Sequence, residues 1–308
     1  MSSGDSRARL RTPGPGYSIR VASRLTQIEP DTLRMWERRY GFPVPTRTPG
    51  GSRVYSEADV ETLLLIRRAM KAGYRPGEVV GRRQAEIAQM IARTGSAAPV
   101  PSSEVVSTEN LLAALVRDDV KQLRVEVKNL ALVLGPKRFV TDVAFPVAKV
   151  AGEMWAAGKL EVRQEHLLSD VLTTQLRVLL AAFDDAQDGP VVILTTLPDE
   201  VHGLGLHMVA LYCAVNQAVP RVLGLNTPPE EIVSAAKALD AAAVGISVVL
   251  PLDPARVAKQ LKWIAAEVPR RVRVWAGGNG VAQLGLKGDA VDVVQSWSDL
   301  DEVLGALR

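Results

Sequence analysis

The sequence predicts a multidomain chain in which two all-helical blocks precede an α/β layer of five parallel strands. Three observations carry this prediction. The apolar period changes once, at Asp188-Gly189, from helical spacing to short β-branched runs. A stretch of small residues and prolines, TGSAAPVPSS at 94–103, separates a first helical pattern from a second. The length of 308 residues also exceeds what one ordinary core organises.

Composition narrows the function classes. The aliphatic content and charge are those of a globular protein, and no apolar run approaches the length of a membrane span. The N-terminus MSSGDSRARLRTPGPG lacks an apolar signal core, so the expected location is cytoplasmic, with no membrane partner. Cys213 is the single cysteine, which excludes disulfides and thiolate metal clusters within the chain and leaves it as a small buried apolar residue. Charge is split along the chain. Residues 1–95 hold 17 Lys and Arg against 9 Asp and Glu, whereas the remainder holds 20 against 25. A basic excess at one end points to a polyanion as the partner of that end.

Taken in order, residues 1–16 are polar with Pro and Gly and are expected to be a disordered tail. Residues 17–93 read as helices with turns at Glu29-Pro30, Gly41-Phe42-Pro43 and Thr48-Pro49-Gly50-Gly51. Pro30 in a first turn, with Thr32, starts a helix whose exposed face carries Arg34, Arg38 and Arg39, while Trp36 anchors it. Arg47, Arg53 and Tyr55 flank a Gly-rich hairpin. Residues 94–106 form a linker. Residues 107–187 carry apolar positions at helical spacing, as in LLAALV and HLLSDVLTTQLRVLLAAF, which suits a small bundle. In residues 188–308 the runs PVVILTTL, AVPRVLGLN, AAAVGISVV, VRVWAGGN and AVDVVQSW read as buried strands. Helices are expected between and after them at 203–217, 228–240, 253–267, 279–287 and 298–307. That alternation is a doubly wound, Rossmann-like five-stranded parallel sheet, whose ligands sit past the carboxyl ends of the strands, where loop 197–205 falls.

The first block resembles the winged helix-turn-helix domain of the MerR family over about seventy-five residues. The resemblance is carried by Ile19–Leu25 and Asp31–Tyr40 as the two helices, by WERRYGFP, and by RVY at 53–55 before SEADV. It implies that the second helix enters the major groove of double-stranded operator DNA. Contacts are then expected from Arg20, Thr32, Arg34, Arg38, Arg39 and Tyr40, and from Arg47, Arg53 and Tyr55 of the wing to phosphates. Any one of these arginines reads equally well as a solvated surface charge; the cluster carries the reading. No sustained heptad follows Tyr74, the region through which such domains usually dimerise.

In the last block, PDEVHGLG resembles a cobalamin-binding motif written Asp-x-His-x-x-Gly, with Glu200 in the Asp place, His202 and Gly205. Gly245-Ile246-Ser247-Val248-Val249 resembles its Ser-x-Leu element, and Gly277-Gly278 its double glycine. A corrinoid that has released its own base needs a replacement axial ligand, and neutral imidazole suits cobalt. The resemblance makes His202 that ligand, with Glu200 accepting from its other nitrogen. Gly203 and Gly205 would let backbone approach the corrin, and Ser247, Val249 and the glycine pair would line a slot for the nucleotide tail. His207, one turn on, reads as scaffold.

Trp155 followed ten residues later by Glu165-His166 reads by itself as a core aromatic and a surface pair. Beside the histidine loop it resembles the four-helix bundle cap of cobalamin modules. The three parts together resemble the CarH/LitR group of light-responsive repressors. Membership would imply adenosylcobalamin as cofactor, a homo-oligomer (dimer or tetramer), Trp155 and Glu165 at the adenosyl group, and His166 holding the cap. Light-sensing members carry a histidine directly after this Trp; here the residue is Ala156. Two alternatives stay open: a regulator sensing another cobalamin form, another tetrapyrrole or a partner protein, and a corrinoid-dependent enzyme subunit.

Overall fold

The change of period at Asp188 marks a change of architecture. The computed structural model describes residues 16–48, 50–94, 107–183, 188–286 and 290–307. The expected tail and nearly all of the expected linker lie outside the described residues.

The first unit begins with β1 (Tyr17–Ser18) and α1 (Ile19–Thr26), which the Ser18 side chain caps by accepting from the Val21 amide. Gln27 turns the chain in the left-handed region into α2 (Pro30–Tyr40), whose first residue is a proline and whose end is a left-handed Gly41. The antiparallel wing pairs β2 (Thr46–Arg47) with β3 (Arg53–Tyr55), and β3 also pairs with β1. A Ser56/Asp59 capping box starts α3 (Glu57–Lys71), against which α5 (Gln84–Arg93) folds back after the short α4 (Pro76–Val79).

Four helices make the second unit: α6 (Glu109–Val116), α7 (Val120–Arg138), α8 (Phe145–Ala156) and α9 (Val162–Ala181). Continuous helical spacing conceals a break in α7. Gly135 adopts φ 74° and ψ 174°, Pro136 follows, and a π-turn over Phe139–Ala144 leads into α8.

The third unit is a parallel sheet in the order β5-β4-β6-β7-β8, formed by β4 (Val191–Thr196), β5 (Val219–Gly224), β6 (Ala243–Ser247), β7 (Arg273–Gly277) and β8 (Asp292–Val294). Its helices are α10 (Leu204–Val215), α11 (Pro229–Ala238), α12 (Pro254–Glu267) and α13 (Trp297–Gly305). Leu206 and Leu211 of α10 and Leu300 of α13 share one core with the bundle, while Ile232 of α11 and Leu261 of α12 pack the opposite face. The sheet is therefore covered on both sides, which explains the mostly buried inner strands β4, β6 and β7, while the edge strands β5 and β8 stay partly exposed. The helix expected at 279–287 is instead a single 3₁₀ turn, Val281–Leu284. A Cβ on Gly280 would lie 2.5 Å from Pro251 Cδ, and Gly285 turns left-handed, so glycines bound the turn on both sides; residues 287–289 lie outside the described residues.

Candidate functional site

The order of the sheet places the ends of β4 and β6 side by side, and between them sits one buried carboxylate. Glu200 is 7% exposed and accepts from two segments. Its Oε1 takes the His202 amide at 3.0 Å and meets His202 Nδ1 at 2.6 Å; its Oε2 takes the amides of Val249 and Leu250 at 2.7 and 3.0 Å. Burial alone would raise its pKa. The Leu250, Val249 and His202 donors outweigh burial and hold it below the ordinary carboxylate range. An ionised partner at Nδ1 fixes the proton there and leaves Nε2 as the bare donor on a half-exposed ring. The loop itself is tied down. Asp199 donates its amide to Asn226 Oδ1 at 2.8 Å, and Thr196 Oγ1 donates to the Glu200 carbonyl at 3.0 Å while accepting from the Asn226 amide.

This donor set fits a metal that brings its own equatorial ligands. Among the described residues no three His, Cys, Asp or Glu side chains gather as a cage for a bare ion. A lone, oriented imidazole is the complement of a corrin-held cobalt, which lacks only axial partners. Across the mouth, a Cβ on Gly205 would stand 3.7 Å from Ser247 Oγ, an ordinary contact distance. A Cβ on Gly203 would press on Leu225 at 3.1 Å. The double glycine serves close packing: Gly277 accepts from the Val248 amide, and a Cβ on Gly278, at φ 108°, would lie 2.4 Å from the Val248 carbonyl oxygen. Val249 takes part through its backbone amide, and its neighbour Leu250, absent from the expected set, does the same.

Trp155 ends α8 with 49% exposure, and Glu165 and His166 open α9 across a short turn. Glu165 accepts from Ser169 at 2.7 Å, and His166 is exposed. Among the described residues no hydrogen bond joins this trio to Glu200 or His202. His207 faces the bundle, where its Nε2 accepts from Arg177 at 3.2 Å. Burial, with the Arg177 charge adding to it, lowers its pKa and keeps it neutral scaffold.

On the first unit, Arg20, Arg38 and Arg39 are exposed, and Arg39 lies over the Tyr40 ring at 5.3 Å. Thr32 and Arg34 stand at the start of the same helix, Arg34 bonded to Asp31 at 2.6 Å. Glu37 links helix to wing through Arg53 at 2.7 Å and Arg47 at 3.8 Å. Tyr55 departs from expectation. It pairs with Tyr17 on the central strand, is fully buried, and its hydroxyl has no partner among the described residues. It shapes the wing from beneath and cannot reach a phosphate from there. Trp36 is 1% exposed and anchors α2 to the core.

The model of the "MerR HTH family regulatory protein" family matches residues 17–85. Two models described as "B12 binding domain" match residues 190–302 and 108–180. The HTH-type transcriptional repressor CarH of Myxococcus xanthus is 29% identical over 94% of this chain and 98% of its own length. The HTH-type transcriptional repressor CarA of the same organism is 27% identical over 79% and 80%. The monomethylamine corrinoid protein of Methanosarcina barkeri superposes with a TM-score of 0.50 at 16% identity, covering 64% of this chain and 96% of that one, which shows a shared fold. No helix among the described residues is long and apolar enough to cross a membrane.

Proposed function

We propose that this chain, whose segments match a MerR HTH model and B12-binding models and which is similar to CarH along nearly its whole length, is a cytoplasmic transcriptional repressor whose grip on double-stranded operator DNA is set by adenosylcobalamin and by light. One observation carries the cofactor half: Glu200 holds His202 by Nδ1 and leaves Nε2 as the lone metal-directed donor at the carboxyl ends of a parallel sheet. In this reading Nε2 of His202 would hold the cobalt, with Glu200 fixing the imidazole tautomer. Gly203 and Gly205 give the corrin room, and Ser247, Val249, Gly277 and Gly278 form the wall beside the nucleotide tail. Trp155, Glu165 and His166 attend the opposite face. When bound, adenosylcobalamin supplies a cobalt–carbon bond that light cleaves. The helix α2 reads the groove through Thr32, Arg34, Arg38, Arg39 and Tyr40, while Arg20, Arg47 and Arg53 hold the backbone.

A ligand that binds only the assembled dimer or tetramer stabilises that assembly by mass action, and its loss withdraws the stabilisation. A helix-turn-helix unit on the same chain serves regulation and has no place in a corrinoid enzyme subunit. The test is size-exclusion and absorbance of the protein with adenosylcobalamin, dark against green light. Red dark assemblies that dissociate on illumination are expected, and His202→Ala should abolish the lower-ligand spectrum. Colourless protein that still binds operator DNA would refute the reading.

Ala156, exposed beside Trp155, favours a second reading in which the protein senses cobalamin itself and not light. An assembly that responds to cobalamin removal but not to illumination selects it.

A further inference from the structure

The three units meet at one largely buried polar joint that neither the groove-reading helix nor the histidine loop contains. From the first unit come Tyr17 and α3. The Tyr17 hydroxyl donates to Glu57 Oε1 at 3.5 Å, and its ring packs on Phe183 just beyond α9 with centroids 6.0 Å apart. From the bundle comes the break in α7. Leu64 of α3 lies against Gly135, and Arg138 reaches Glu61 at 3.8 Å and bonds Asp142 at 2.8 Å. From the sheet comes Tyr212 of α10, 1% exposed, which donates to Asp301 at 2.9 Å and stacks on Trp297 at 4.7 Å. The Lys137 ammonium sits 5.6 Å from the Tyr212 ring centroid. The same charge is the strongest one opposing the effect of burial on Glu57.

Helix α10 begins at Leu204, directly after the His202 loop, and carries Tyr212 about two turns further on. A packed helix moves as a rod, so a displacement at its first turn reaches Tyr212 undiminished. We infer that the break in α7 couples the His202 loop to the DNA-binding unit, Lys137 holding the face of Tyr212 on one side while the adjoining Arg138 and Gly135 meet Glu61 and Leu64 of α3 on the other. The position of α10 and the docking of α3 are then one equilibrium, and whatever biases one biases the other. The inference rests on the reading that cobalamin meets His202 and DNA meets α2.

The test uses the full chain with Lys137→Met, which keeps an apolar stem on the Tyr212 ring and removes the charge, and Lys137→Arg as the conservative variant. Absorbance gives the adenosylcobalamin affinity, and anisotropy of a duplex selected by the wild type gives DNA affinity with and without cobalamin. Couplings of this kind commonly span about 5- to 150-fold. Lys137→Met is expected to keep each separate affinity within about threefold, while the ratio of DNA affinities falls by about tenfold toward one; Lys137→Arg keeps the ratio. A merely structural lysine would shift the separate affinities and leave the ratio intact, and that result overturns the inference. Hydrogen exchange provides an arm that does not need the cofactor: DNA should alter protection over residues 204–215 in the wild type and not in Lys137→Met. If the wild type binds no cobalamin, the reading at His202 fails by itself, and the exchange result alone decides the joint.

Discussion

Replacing Glu200 by Gln changes almost no volume and removes one charge, so its effect isolates the four donors that converge on this carboxylate. A glutamine offers one acceptor oxygen. Whichever way it turns, its amide nitrogen faces two N–H groups that had an acceptor: either the His202 pair or the amides of Val249 and Leu250. Hydrogen bonds to a charged group contribute about 1.5–3 kcal/mol each, so losing two costs on the order of 3–6 kcal/mol. The assay is urea unfolding of the full chain followed by tryptophan fluorescence and circular dichroism, at pH 7 and at pH 3. The Glu200 pKa is held below its ordinary 4.5, so its contribution is complete above that value and is lost as pH falls through the lower, folded one. Wild type and Glu200→Gln should therefore converge in acid. A difference under about 1 kcal/mol at pH 7, or one that persists unchanged at pH 3, would refute the reasoning. Glu200→Asp, shorter by one methylene, should keep one pair of donors and lose the other, at an intermediate cost.

Other predictions follow from the packing and the charges. Gly245→Ala places a Cβ 2.2 Å from Trp275 Nε1 and 2.8 Å from Leu194 Cδ2, and should destabilise the sheet by about 3 kcal/mol or more, seen as a lower melting temperature that Trp275→Leu partly restores. Glu57 is pushed from its usual 4.5 to about 7, chiefly by burial, with Lys137 opposing and Glu61 adding to the rise. Its raised pKa means that stability is greatest below the ordinary value and falls as pH rises to about 7. Glu57→Gln should then match wild type near pH 4 and exceed it by about 3 kcal/mol at pH 8 in denaturant melts; equal curves at both would refute it. Arg38→Ala and Arg39→Ala should each weaken DNA binding and reduce the slope of log affinity against log salt by about 1, measured by anisotropy across a salt series. Tyr55→Phe should leave that slope unchanged, because its hydroxyl is buried.

The inner strands β4, β6 and β7 were legible because they are buried along most of their length and therefore almost unbroken in hydrophobicity; the edge strands β5 and β8 are half-exposed, yet each of the five expected runs contains an observed strand. The Glu200–His202 contact was legible too, since two residues apart in one tight loop leaves the side chains within reach. What escaped was set by partners distant in sequence. Tyr55 is buried because β3 pairs with β1, and nothing in RVY reveals Tyr17. The amides of Val249 and Leu250 carry no side-chain signature at all. The break in α7 has a local signal, Gly135-Pro136, which the helical spacing on either side outweighs, and the turn at Val281–Leu284 follows Gly280, where a Cβ would meet Pro251 and Val249.

The locked glycines after β7 have a kinetic consequence. Gly277 and Gly280 are hydrogen-bonded to Val248, and Gly278 and Gly280 leave no room for a Cβ, so one wall of the mouth is fixed before any ligand arrives. The opposite wall is the short loop carrying His202, joined to it through Glu200. Discrimination by shape then belongs to the rigid wall and is settled on encounter. The loop is the adjustable wall, and moving it means breaking the bonds of Glu200 to the amides of Val249 and Leu250.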